Sequence, residues 1–323
     1  MTRAIVDQDI TPTDRLLDHL DDDWEVTVGI DADEASVEAE LAEYDVAFVT
    51  SRVPLTKAVL DSAERLSLIG KLGTGIDSID LEAARANGVT VTHTPGHNAL
   101  SVAEHALGLT LATARRLPVA REIVAEGRWR DEYPLGTRIS GSTVGIVGFG
   151  NVGKRVGMLL SGFDVDVLVS DPYVPSIDAE LAHGEQTDLE TLLGASDVVI
   201  LTPELTAETR GLIGEAELDS MKSSGLLVNV SRGPVVVEAA LIDALRNGAI
   251  AGAGLDVFES EPVPADSPLQ ELDNAVLTPH IAAMTAECRA GNIDQLAANV
   301  TRLFAGEEVL DRYVPVDAAD LGE

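Results

Sequence analysis

The chain has a single cysteine, Cys288, so it offers no partner for an internal disulfide and no thiol cluster for a metal. No metal site is expected. No apolar run reaches the roughly 20 residues needed to cross a bilayer. The start of the chain, MTRAIVDQDI, carries only a short apolar stretch with acids close behind, unlike an export signal. The simplest expectation is a cytoplasmic protein. Basic charge is scarce: 22 Lys and Arg stand against 55 Asp and Glu, for a net charge of -33. Only four of the bases are lysine: Lys57, Lys71, Lys154 and Lys222. The acids run along the whole chain and form no tail, which argues against an acidic interaction arm. Nucleic acid and anionic membranes are poor partners for such a surface. At low ionic strength the chain repels itself; at about 1 M salt the screening length falls to roughly 3 Å and the repulsion is quenched. Adaptation to a salt-rich cytoplasm is therefore predicted, against the plainer alternative of a merely very soluble acidic protein.

What is present is a globular chain. Its 323 residues are 45% hydrophobic. That suggests about two domains and enough apolar surface for a sizeable core. There are no repeats or low-complexity segments. Short apolar runs at 4–7, 26–29, 46–50, 68–70 and 89–92 read as strands, with helical stretches such as 13–20 and 81–87 between them. This alternation predicts a parallel sheet with crossover helices. A long helical pattern covers 101–117, closed by Pro118, and 127–141 reads as a loop. Six further buried-looking strands follow, at 144–147, 166–170, 198–201, 226–229, 251–255 and 276–277. They predict a six-stranded doubly wound domain with both faces covered. A helix over 283–304 then has to pack somewhere, and the first domain is one option.

Gly148-Phe149-Gly150-Asn151-Val152-Gly153 lies between a predicted strand and a predicted helix. Asp171 follows about 20 residues on, at the end of the next strand, which is the dinucleotide-binding arrangement. Gly148 allows the tight turn, Gly150 lets the backbone approach a pyrophosphate, and Gly153 lets helix and strand pack closely. The helix N-terminus offers free N–H groups to phosphates. Asp171 would accept the adenosine ribose hydroxyls and repel a 2′-phosphate, so NAD is expected over NADP. A glycine-rich turn with no ligand is the bland alternative.

Three features sit where loops leave later strands, the edge of an open sheet where ligands bind. They are Ser231-Arg232-Gly233, then Asp256 and Glu261, and then His280 in Thr278-Pro279-His280. Taken singly, each is usually structural or a surface charge. Together they match one chemistry. Oxidising a 2-hydroxy acid needs a base for the hydroxyl proton, and histidine suits that. A cation must hold the carboxylate, and arginine's planar fork suits that. A carboxylate beside the imidazole orients the base.

The chain resembles the D-2-hydroxyacid dehydrogenase family over nearly its whole length. The matching stretches are KLGTGIDSID, THTPGHNALSVAEHALGL, GIVGFGNVG, ETRGLI, VNVSRGPVV, AGAGLDVFESEP and LTPHIA. The resemblance implies Arg232, Glu261 and His280 as the catalytic trio. It implies cofactor contacts from the glycine loop (Gly148, Gly150, Asn151, Val152, Gly153), Asp171, Thr202, Val230 and Ser231. Asp256 would meet the nicotinamide carboxamide, and the Gly73-Thr74-Gly75 amides would hold the substrate carboxylate together with Arg232. It also implies a flavodoxin-like substrate domain, 1–100 with 284–323, around an inserted Rossmann cofactor domain, 101–283, and a homodimer formed through the cofactor domain. The substrate would be a small D-2-hydroxy or 2-oxo acid such as phosphoglycerate, glycerate or glyoxylate. Lys71 and His97 are further candidates for substrate contact. Two departures stand out: Ala282-Ala283 follows His280 where glycine is commoner, and Pro203 comes one residue early, with Glu204 in the usual proline place. An NADH-sensing corepressor of the same fold is the rival reading. A formate-type enzyme would carry an amide where Glu261 stands.

Overall fold

The computed structural model describes residues 1–317 in two compact units. One is Met1–Asn98 together with the chain from Met284 onward; the other is Ala99–Ala283. The last residues assigned to the substrate domain, 318–323, lie outside the described part.

The first unit alternates strand and helix: β1 (Arg3–Val6), α1 (Thr13–Leu17), β2 (Glu25–Val28), α2 (Glu34–Leu41), β3 (Val46–Val49), α3 (Lys57–Ser62), β4 (Leu68–Lys71), α4 (Leu81–Ala86) and β5 (Thr90–His93). The sheet is wholly parallel, in the order β2-β1-β3-β4-β5, the flavodoxin-like arrangement. β3 and β4 are buried at every position, and edge strand β2 is largely exposed. That is the burial expected when helices cover both faces of the central strands.

The second unit runs α5 (Ala99–Ala114), α6 (Leu117–Ala125), β6 (Thr143–Val147), α7 (Asn151–Leu160), β7 (Asp166–Ser170), α8 (Ser176–Leu181), β8 (Gly184–Gln186), α9 (Leu189–Ala195), β9 (Val198–Leu201), α10 (Glu215–Ser220), β10 (Leu226–Asn229), α11 (Glu238–Asn247), β11 (Gly252–Leu255) and β12 (Ala275–Leu277). Its sheet has seven parallel strands, not six, in the order β12-β11-β10-β9-β6-β7-β8. This is the Rossmann order with one more strand, and it reverses direction between β6 and β9. The strand missing from the sequence reading is β8. It is three residues long, Gly-Glu-Gln, at the edge, so it has no apolar run to reveal it. Pro118 does not close the long helix. The long helix ends at Ala114, Arg116 turns left-handed at φ 47°, and Pro118 lies in the first turn of a new helix. Proline is tolerated there because a first-turn N–H has no intrahelical partner.

The final helix, α12 (Ala286–Phe304), packs in the first unit. Its Ile293, Leu296, Ala297 and Val300 join Ala4, Val6, Phe48 and Leu68 in one buried cluster. Gly70 makes room for it: a Cβ there would lie 3.0 Å from Val300 and 3.3 Å from Leu296. No helix among the described residues is long and apolar enough to cross a membrane.

Candidate active site

The glycine loop joins β6 to α7. Gly148 has φ 82°, and a Cβ on it would sit 2.6 Å from the Pro203 nitrogen. The early proline at 203 therefore packs directly on the glycine turn. A Cβ on Gly153 would lie 2.3 Å from the Gly148 carbonyl oxygen, so helix and strand meet at backbone distance. Gly150 differs: its α-carbon faces open space. The first-turn N–H groups of α7, from Asn151, Val152 and Gly153, have no intrahelical acceptor. Asp171, just past β7, accepts from the Phe149 N–H at 2.6 Å and the Tyr173 N–H at 2.9 Å. It pins the loop while staying partly exposed. Thr202 donates its hydroxyl to the Gly148 carbonyl at 2.6 Å. These residues fit a dinucleotide: an open glycine face, free helix-end amides and a carboxylate at the end of the second strand.

Beyond β10 the chain enters Val230-Ser231-Arg232-Gly233. Buried Asn229 organises this turn: its side-chain oxygen accepts from the Ser231 N–H and hydroxyl, and its amide donates to the Arg232 carbonyl at 3.0 Å. Val230 and Ser231 are themselves buried. A Cβ on Gly233 would fall 1.8 Å from the Phe258 carbonyl oxygen. Only glycine lets the Arg232 turn lie against the chain leading to Glu261. The Arg232 guanidinium donates to the Ser231 carbonyl at 2.7 Å.

Glu261 and His280 meet directly, Nδ1 to Oε2, at 2.6 Å. The other Glu261 oxygen accepts from the Phe258 N–H at 3.0 Å. Burial pushes the Glu261 carboxyl up. The His280 hydrogen bond, the Phe258 amide and the positive charges of His280 and Arg232 outweigh it, holding the carboxyl below its ordinary range. The backbone of His280 is left-handed, φ 53°, a conformation unusual for a residue other than glycine.

Asp256, just past β11, has a fully buried side chain. Its carboxylate accepts from the Thr278 hydroxyl at 2.6 Å, the Ile281 N–H at 2.9 Å and the Ala282 N–H at 2.8 Å, and it lies 3.3 Å from His105 Nε2. Burial alone would raise this carboxyl; these donors prevail and hold it below the ordinary range. Sequence reasoning gave no role to Asn229, His105 or Thr278. The signal for Asn229 was a polar residue ending an otherwise apolar strand.

In the first unit, the Gly73–Gly75 turn offers less than expected. Gly73, at φ 98°, spends its N–H on the Thr94 hydroxyl at 2.9 Å, leaving the Thr74 and Gly75 amides. The Thr74 carbonyl lies 2.9 Å from His93 Nδ1. Lys71 is buried beside this turn and not solvated as a lone strand-end lysine usually is. His97 lies against Gly291 of α12.

The family model for the D-isomer specific 2-hydroxyacid dehydrogenase NAD binding domain matches residues 107–282. The chain belongs to this family. It is 40% identical over 267 residues to a D-3-phosphoglycerate dehydrogenase of Archaeoglobus fulgidus, covering 83% of this chain and 51% of that protein. It is 42% identical over 254 residues to a glyoxylate reductase of Thermofilum pendens, covering 77% and 75%. It thus spans about half the length of the phosphoglycerate dehydrogenases it matches and three quarters of the glyoxylate reductase. Among solved structures, an NADPH-dependent glyoxylate/hydroxypyruvate reductase from Sinorhizobium meliloti superposes with a TM-score of 0.83 at 32% identity, over 96% of this chain and 97% of that one.

Proposed function

We propose that this dehydrogenase interconverts a small D-2-hydroxy acid and its 2-oxo acid with NAD(H). The observation that carries the reading is the 2.6 Å contact of His280 Nδ1 with Glu261 Oε2, beside the Arg232 turn. A dinucleotide held at the glycine loop and Asp171 would supply or take up the hydride. With Nδ1 turned to Glu261, Nε2 is the nitrogen that gives a proton to the substrate oxygen in reduction and takes it back in oxidation. Glu261 fixes the tautomer and stabilises the imidazolium. Arg232 binds the substrate carboxylate, its backbone set by Asn229 and Gly233. The Thr74 and Gly75 amides are the remaining donors we assign to substrate binding in the first unit. The likeness to D-3-phosphoglycerate dehydrogenases and to glyoxylate reductases supports a small 2-oxo acid, phosphorylated or not.

The test is NADH oxidation at about 2–3 M KCl, chosen to screen the net charge, with glyoxylate, hydroxypyruvate and phosphohydroxypyruvate. Turnover of one acid, reduced about 10²–10⁴-fold in His280→Ala, is expected. Unchanged turnover in that variant overturns the acid–base assignment. Absent turnover with NADH binding retained favours a sensing role.

A cytoplasmic, salt-adapted homodimer completes the proposal. Its support is the charge of -33 and a set of exposed apolar side chains on and after α5 and α6: Leu111, Leu117, Val124, Trp129 and Leu135. Such a set suits a second copy of the chain.

A further inference from the structure

Helix α5 crosses β11 in a register that two residue patterns explain. On the helix, His105, Leu109 and Thr113 recur every fourth residue and share one face. On the strand and just past it, Gly252, Gly254 and Asp256 recur every second residue and share the other. A Cβ on Gly252 would lie 3.2 Å from Thr113, and one on Gly254 would lie 2.8 Å from Thr113 and 3.2 Å from Leu109. Four helical residues advance about 6 Å, and two strand residues advance about 6.6 Å. The next match along the same line is His105 with Asp256, and their side chains are 3.3 Å apart.

Hydrogen-bond arithmetic fixes the direction. The Thr278 hydroxyl gives its hydrogen to Asp256 at 2.6 Å. Its oxygen can then only accept from His105 Nε2, 3.0 Å away. His105 therefore carries hydrogen on Nε2 and shares it between Thr278 and Asp256. Asp256 in turn grips both sides of His280: its backbone carbonyl accepts from the His280 N–H at 2.9 Å, and its carboxylate takes the Ile281 and Ala282 N–H groups. Those three bonds hold His280 in its left-handed conformation, a strain that only surrounding contacts can sustain.

We propose that His105 is a positioning residue for the reaction: through Thr278 and Asp256, it fixes the backbone that aims the His280 imidazole at Glu261. The inference rests on the proposed acid–base role of His280. The glycines of β11 belong to the same device, since they let the helix lie close enough for His105 to reach.

Two substitutions test it. His105→Leu removes the donor at similar size; His105→Gln restores an N–H near the place of Nε2. With wild type active on a 2-oxo acid, His105→Leu should lower kcat about 10-fold, as a small misplacement of a reacting group does. It should also shift the pH profile of kcat/KM while leaving the NADH dissociation constant within about 2-fold. His105→Gln should recover most of both. If His105→Leu does not fold, Thr278→Val breaks the same bridge from its other end and is read the same way. An unchanged kcat and pH profile would overturn the proposal. So would a loss of activity that merely follows thermal stability and is not rescued by glutamine. If wild type itself turns over no acid, the acid–base reading fails. The positioning claim is then read from the NMR titration of His280, which must move in His105→Leu for the claim to stand.

Discussion

At the scale of single residues, the site depends on carboxylates whose burial is offset by donors. Glu261 is the sharpest case. Its carboxyl is held below the ordinary range in the folded protein. Its ionised form therefore stabilises the fold above the unfolded value of about 4.3, and that contribution is lost as pH falls through the lower folded value. Acid unfolding of wild type and Glu261→Gln should show wild type ahead at neutral pH and the gap closing below about pH 4. A gap independent of pH would count against the charge-paired arrangement. Glu261→Gln should also lower kcat by about 10-fold or more, because the amide supports the imidazolium poorly. In the proposed site, Asp171 is the residue that would set cofactor choice, by repelling a 2′-phosphate. Asp171→Ala should raise kcat/KM with NADPH relative to NADH; an unchanged ratio would move cofactor discrimination to another residue. The candidates Arg232, Glu261 and His280 were legible in the sequence, from their places after strands and from the family resemblance, and Glu261 and His280 are in contact. The bonds of Asp256 were not legible, since nothing in one dimension says that Ile281 and Ala282 turn their amides toward it.

At the scale of elements, backbone proximity sets the site, and glycines permit it. Gly233 is the strictest, with a Cβ placed 1.8 Å from the Phe258 carbonyl oxygen. Gly233→Ala must displace either the Arg232 turn or the chain entering Glu261. It should raise KM for the acid and lower kcat together, with NADH binding, measured by fluorescence titration, nearly intact. The same reasoning explains what the sequence hid. β8 is too short and polar to show a pattern. The break between α5 and α6 lies at Arg116, before the proline that seemed to mark it. Element boundaries follow local hydrogen bonds, and hydrophobic period locates them only loosely.

At the scale of the whole molecule, charge dominates. With -33 at neutral pH, self-repulsion opposes compaction unless counter-ions screen it. Melting temperature should rise with KCl from dilute buffer to about 2 M, well beyond the range where simple screening of exposed charges is complete. A flat response would leave the acidity as a matter of solubility alone. Many arginines are already paired locally, such as Arg15 with Asp294 at 2.6 Å and Arg52 with buried Asp7 at 2.6 Å. The repulsion therefore comes from the surplus acids.

The sequence by itself determined the two alternating α/β segments and the glycine loop with its distant aspartate. Each of these is written in local period or fixed spacing. Tertiary structure alone decided the seventh strand, the return of α12 to the first sheet, the turning of the Gly73 amide to Thr94, and the line of contacts from His105 through Asp256 to His280. The physical reason is common to all four. Each is a hydrogen bond or packing contact between residues far apart in the chain, and its partner is fixed only when helices and strands lie at their packed distances.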